Sequence, residues 1–194
     1  MNRNQAEKLF VEFHTPAHVQ AHGRKVGELA KILAEGLEKA GIEVDSELAY
    51  LGGLIHDFVR VVDFKTLAPD LGSAEDQVFW KTLREKYSGC HHADVGADIL
   101  RKRGEGVLAR IVKCHKFSAL GTPEGPQTWE EKLVYYADKR VKHDQIVSLE
   151  ERLDEGWQRH FGDQKRTTEE EATRKAVFAL EREIFSHLPE SKRP

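Results

Sequence analysis

Cysteine is scarce in this chain of 194 residues: there are two, Cys90 and Cys114, and they form no CxxC pair. Cysteine alone therefore cannot build a thiolate zinc site. A disulfide framework is not expected in an intracellular chain of this size, so both thiols are expected to be small and buried. Long hydrophobic runs are also missing. The longest uncharged apolar stretch is about ten residues, too short to span a bilayer. The opening Met1-Asn2-Arg3-Asn4-Gln5-Ala6-Glu7-Lys8 has no secretory core. A cytoplasmic protein with no membrane partner is the expectation. An excess of positive charge is absent too. The net charge of −3 gives no general attraction to a nucleic-acid polymer. The basic clusters Arg101-Lys102-Arg103, Lys139-Arg140 with Lys142, and Lys165-Arg166 read as solvated helix faces. With 15 glycines and 6 prolines the chain is not of low complexity.

What is present is helical periodicity almost from end to end. Ala6, Leu9, Phe10 and Phe13 mark a short first helix. A second is expected after Thr15-Pro16, as a cap followed by proline at the first helical position. Its apolar stripe is Val19, Val26, Leu29, Ala30, Leu33 and Leu37, with Gly41 as the stop. Asp45 or Ser46 caps a third helix running to His56. The stretch from Phe58 to Ser73 carries turn chemistry, and Arg60 to Phe64 is the only short strand alternative. Further helices are expected over Ala74 to Tyr87, from His92 toward Gly104, from Val107 to near His115, over Trp129 to Val141, Ser148 to Phe161 and Thr168 to Leu188. Lys116 to Thr128 is the longest clear loop, a candidate lid or substrate rim. The fold class expected is all-α, a single domain over residues 1–194.

Into this pattern six side chains fit poorly unless they do chemistry. His22 interrupts an apolar stripe. His56-Asp57 stands at the end of the apolar run Ala49 to Ile55. His92 opens a helix, and His115 follows Ile111-Val112 at helical spacing. Asp138 lies among Val134, Tyr135, Tyr136, Ala137 and Val141, an expensive place for an unpaired carboxylate. A lone histidine on an apolar face is more often a hydrogen-bonded core residue than a ligand, and the chain has 10 histidines. His14, His18, His143, His160 and His187 are assigned to the surface or to outer support, and His91 would point away from the face of Val95 and Ile99. The ordered set of six is far more specific than any member. Its nitrogen and oxygen donors suit one or two divalent ions (Mn, Fe, Co, Ni, Zn or Mg) better than copper or an iron–sulfur cluster. Such an ion activates water, so the set points to a hydrolase.

The series His22 with Val26, then Leu54-Ile55-His56-Asp57, then Tyr135-Tyr136-Ala137-Asp138-Lys139 resembles the HD superfamily of metal-dependent phosphohydrolases. His92-Ala93-Asp94-Val95-Gly96-Ala97-Asp98 with His115 is similar to the extra histidines of its binuclear members. The likeness runs from about Pro16 to Leu153. It is similar in particular to small bacterial HD-domain proteins. The resemblance implies a helical HD-type bundle with a ligand-bearing core over about 16–153 and C-terminal helices over about 148–188. It also implies a first ion on His22, His56, Asp57 and Asp138, a second completed by His92 and His115, and catalysis centred on Asp57 and His56. Arg60, Lys139 and Lys116 are then candidates for phosphate contact. Arg60 stands where many relatives carry lysine, and a guanidinium can clamp phosphate in a bidentate way. Phe58, Phe64, Phe79, Trp80, Phe117 and Trp129 are candidates for a base-stacking wall. The expected partner is a nucleotide or another small phosphoester. The alternative is a noncatalytic HD sensor that binds a nucleotide or a partner.

Overall fold

The computed structural model describes residues 1–190 and residue 193. Nine helices organise these residues: α1 (Arg3–Glu12), α2 (Ala17–Lys39), α3 (Ser46–Ile55), α4 (Ala74–Lys86), α5 (His92–Lys102), α6 (Gly106–Cys114), α7 (Trp129–Asp138), α8 (Leu149–Phe161) and α9 (Thr168–Ser186). The all-α expectation holds, with one small exception. The helix expected to reach Val141 ends at Asp138, and a two-stranded antiparallel ribbon follows, β1 (Val141–Lys142) with β2 (Gln145–Ile146). Val141 pairs with Ile146 and Lys142 with Gln145, so His143 and Asp144 make the turn. His143 adopts a left-handed backbone, φ 57°, which histidine tolerates better than β-branched residues do. Periodicity alone does not distinguish the last turn of a helix from so short a ribbon. Arg60 to Phe64 is not a strand either, since Arg60–Asp63 forms a 3₁₀ turn.

Local caps explain most boundaries. Asp45 accepts the amides of Glu47 and Leu48 at the start of α3. Ser73 and Asp76 form a reciprocal capping box on α4, as do Thr167 and Glu170 on α9. At the start of α2 the expected cap is absent. Pro16 takes the cap position, and the Thr15 hydroxyl donates instead to the Phe58 carbonyl at 2.7 Å. Thr15 thereby ties the chain before α2 to the chain leaving His56-Asp57.

α2 and α3 form the centre, with α7 packed across both and α5–α6 against the far end of α3. The α2–α3 contact depends on glycine. A Cβ on Gly53 would stand 2.8 Å from the Gly27 backbone, and one on Gly23 would stand 2.3 Å from the Leu54 carbonyl oxygen. The two backbones meet directly, which draws the next residue on α2, His22, toward the end of α3. α9 completes the core with Val177, Leu180 and Ile184 buried, whereas α8 buries Leu149 alone. Among the described residues no helix is long and apolar enough to cross a membrane.

Candidate metal centre

Each of the six expected side chains lies at or near a helix end facing one cavity. His22 comes from the first turns of α2, His56 and Asp57 from the end of α3, His92 from the start of α5, His115 from the end of α6 and Asp138 from the end of α7. All four histidines and Asp138 are buried, and the Asp57 side chain is 14% exposed. His22 Nε2 lies 3.1 Å from Asp138 Oδ1, and His56 Nε2 lies 3.6 Å from both Asp138 Oδ1 and Asp57 Oδ2. Asp57 Oδ1 lies 2.9 Å from His92 Nε2 and 3.4 Å from His115 Nε2. The two oxygens of Asp57 therefore face the two halves of the cavity.

The outer partners fix which nitrogen carries the proton. His22 Nδ1 donates to the His143 carbonyl at 2.9 Å, His56 Nδ1 to Gly53 at 2.7 Å and His115 Nδ1 to Val112 at 2.6 Å. Carbonyl oxygens only accept, so these Nδ1 atoms are protonated, and in the neutral tautomer each ring turns an Nε2 lone pair inward. His92 Nδ1 instead donates to Asp63 Oδ2 at 2.7 Å. In that tautomer the inward-facing nitrogens and the two carboxylates are all acceptors. His92 Nε2 and His115 Nε2 approach to 3.1 Å, a distance that calls for a proton or a cation between them. His56 Nε2 and Asp57 Oδ1 are buried with no hydrogen-bond partner. Orphaned buried acceptors are costly in a metal-free protein. A divalent cation satisfies all of them at once, and the Nδ1–H contacts are the kind that orient imidazoles on a metal. The residues present fit such an ion. Two ligand groups recur in the geometry, His22–His56–Asp138 and His56–Asp57–His115, each with donor atoms within 4.8 Å of one another. Their nitrogen and oxygen chemistry suits the borderline and harder divalent ions.

Charge follows the same plan. Burial alone would raise the Asp57 carboxyl, but the imidazoles of His56, His92 and His115 hold it well below the usual carboxylate range. Asp138 behaves alike: burial opposes ionisation, and Lys139, His22 and His56 outweigh it. Burial pushes His115 down to about 4, so it stays neutral and able to ligate. For His56 the carboxylates of Asp57 and Asp138 outweigh burial and raise it.

The three candidate phosphate cations are placed differently. Lys139 is buried and turned inward, donating to Asp138 Oδ2 and to the His115 carbonyl at 3.2 Å. Lys116 is half-buried and paired with Asp94. Arg60 pairs with Asp63, and its Nε lies 3.7 Å from Asp57 Oδ2. Phe58 and Trp80, candidates for a stacking wall, are core residues at 1% exposure. Phe64 is half-buried beside the centre, 6.0 Å from the His18 ring and under Arg60. The loop after His115 is stitched down rather than free, because Arg110 donates to the carbonyls of Glu124 and Gly125. Cys114 is buried as expected, but Cys90 is exposed. It sits in the turn after α4.

Sequence reasoning missed Asp63 and the role of the His143 carbonyl. Asp63 follows Asp57 by six residues, and its only sequence signal is a carboxylate directly after the apolar pair Val61-Val62. A third cluster, Asp63–His91–His92, lies beside the centre. It belongs to the support, because His92 Nδ1 cannot both donate to Asp63 and ligate. His91 caps α5, its Nδ1 accepting the Ala93 amide at 3.1 Å.

Imidazoles and carboxylates converge from five helices of an all-α scaffold on a site that could hold a metal ion. The HD domain family matches residues 19–141, a span that holds all six candidate ligands. This chain belongs to the HD domain family and so to the superfamily of metal-dependent phosphohydrolases. It is 33% identical over 155 residues to an uncharacterized protein of Methanocaldococcus jannaschii, covering 70% of this chain and 78% of that one. It is also 32% identical over 83 residues to a tRNA (cytidine(56)-2'-O)-methyltransferase of Picrophilus torridus, covering 37% of this chain and 24% of that enzyme. No solved structure gives a significant match.

Proposed function

We propose that the protein is a metal-dependent phosphohydrolase acting on a nucleotide or another small phosphoester. The observation that carries this reading is the pair of orphaned buried acceptors, His56 Nε2 and Asp57 Oδ1, at the meeting point of four inward Nε2 lone pairs and two carboxylates. His22, His56 and Asp138 would hold one ion, His92 and His115 a second, and Asp57 would reach both through its two oxygens. An ion held there screens phosphoryl oxygens and lowers the pKa of water.

The chain's own residues supply the rest. Asp57 and Asp138 remain ionised at neutral pH and hold their histidines in place. Lys139 anchors Asp138 from behind rather than meeting substrate. Arg60 keeps donors beyond those given to Asp63, and Lys116 stands at a half-buried ion pair. Both can exchange a carboxylate for a phosphate at the rim. The net charge of −3 favours a small phosphoester over a nucleic-acid polymer.

Metal analysis of the purified protein, followed by phosphate release from a panel of nucleotides and a chromogenic phosphodiester in Mn²⁺, Co²⁺, Ni²⁺ and Mg²⁺, tests the proposal. Bound divalent metal with turnover of at least one class is expected. Stoichiometric metal without turnover of any class would make the protein a binding domain, and absence of metal binding would overturn the reading.

A further inference from the structure

Three of the four histidines lean on uncharged backbone carbonyls, whereas His92 leans on a carboxylate. That carboxylate, Asp63, closes the 3₁₀ turn Arg60–Asp63 just beyond the His56-Asp57 pair. Its Oδ2 accepts both His92 Nδ1–H at 2.7 Å and the His92 backbone amide at 3.1 Å. Its Oδ1 accepts Arg60 Nη1. Asp63 is about one quarter exposed. One side chain thus grips a metal-facing imidazole and the rim guanidinium together. No other residue of the centre does so among the described residues.

We propose that Asp63 is a positioning residue that sets how tightly the α5–α6 half of the centre holds its cation. It keeps His92 in the tautomer whose Nε2 lone pair faces Asp57 and His115, and its charge makes that imidazole a stronger donor than its three counterparts. By holding Arg60, it also keeps a guanidinium 3.7 Å from Asp57 Oδ2 instead of letting it swing into the cavity. The inference rests on the reading of the cavity as a metal centre, but one of its tests does not need metal.

Two measurements on the full chain decide it. In the first, Mn²⁺ is titrated into wild type, Asp63→Asn, Asp63→Ala, His92→Ala and the double variant Asp63→Ala/His92→Ala. Asp63→Ala is expected to weaken Mn²⁺ binding about 10–100-fold, the range seen when an outer carboxylate is lost. Asp63→Asn, which can still accept from Nδ1 but has no charge, should fall between it and wild type. The double variant should bind no more weakly than His92→Ala. In the second, ¹⁵N NMR of the metal-free protein reads the His92 ring. It should be Nδ1-protonated in wild type and Asp63→Asn, and should lose that preference in Asp63→Ala. Wild-type Mn²⁺ affinity in Asp63→Ala, simple addition of the two single losses, or an unchanged His92 tautomer would each overturn the proposal. If Asp63→Ala does not fold, Asp63→Asn carries the affinity test, and unchanged affinity there also overturns it. If wild type binds no Mn²⁺, the phosphohydrolase reading falls, while the tautomer measurement still judges Asp63.

Discussion

The two halves of the metal centre are built by different means. His22, His56 and Asp138 come from α2, α3 and α7, and the backbones of α2 and α3 touch through Gly23, Gly27 and Gly53. His92 and His115 come from α5 and α6, which meet the core through side chains. A Cβ on Gly96 of α5 would meet Phe58 Cε1 at 3.1 Å and Val112 Cγ1 at 3.2 Å, both side-chain atoms able to give way. On Gly53 it would meet the backbone of Gly27 at 2.8 Å, which cannot. The first half owes its position to the main packing of the fold. The second owes it to side-chain hydrogen bonds, with Asp63 foremost. The first should resist tuning and the second should admit it.

The harshest way to break the comparison is a single methyl group. Gly53→Ala should destabilise the protein by about 3 kcal/mol, the upper range for overpacking, and should remove metal binding because α2 and α3 must part. Gly96→Ala should cost about 1 kcal/mol or less and keep metal. Urea denaturation with metal analysis measures both. Equal losses would show that the halves are equally rigid.

Next in size are the ligands themselves. Asp57 faces both halves, so Asp57→Ala should lose both ions and at least about a hundredfold in turnover, more than outer-partner losses typically cause. His56→Ala should lose the first ion and turnover with it, whereas His115→Ala should weaken the second and leave the first. Mn²⁺ titration separates these outcomes. Full activity in Asp57→Ala would remove the proposed mechanism.

Those candidate ligands were legible from sequence because each breaks a pattern: His22 an apolar stripe, Asp138 an apolar helix face, His56-Asp57 the end of a nearly uncharged run. Their convergence was inferred from resemblance, since periodicity gives a face but no distance. The supports were not legible. Thr15 looks like a helix cap, and nothing local says that its hydroxyl goes to Phe58. Lys139 looks like a free cation beside a ligand, yet the end of α7 turns it back on Asp138. The His143 carbonyl reaches His22 only through a left-handed turn in a ribbon too short to leave a strand signal. Partners set by tertiary contact leave no spacing to read.

Acidification should separate the halves by sign. His115 is pushed down to about 4 chiefly by burial, whereas in the unfolded chain it protonates near about 6.5. Between those values the unfolded state binds the extra proton, so the stability contributed by His115 is present at pH 7 and declines as pH falls from about 6.5 toward 4. His56 has the opposite sign. Its folded value is raised by Asp57 and Asp138, so its contribution is present below about 6.5 and fades as pH rises through the folded value. In metal-free protein His115→Gln should therefore lose less stability than wild type between pH 7 and 4.5, and His56→Gln should lose more. Denaturant melts at the two pH values decide this, and parallel curves for the two variants would refute it.

The smallest effect concerns the thiols, and it reports on the second half alone. Cys114 precedes His115 on α6, is 1% exposed, and is pushed up to about 12 chiefly by burial. Cys90 is exposed in the turn before α5. A thiol reagent at pH 8 should therefore modify one cysteine per chain in the metal-loaded protein and two in denaturant, because a buried thiol supplies neither access nor thiolate. Chelation leaves His92 Nε2 and His115 Nε2 facing each other at 3.1 Å without a cation between them. Loss of that bridge should loosen the end of α6 and speed modification of Cys114 severalfold. An unchanged rate after chelation would mean that side-chain hydrogen bonds hold this half as firmly as glycine packing holds the other.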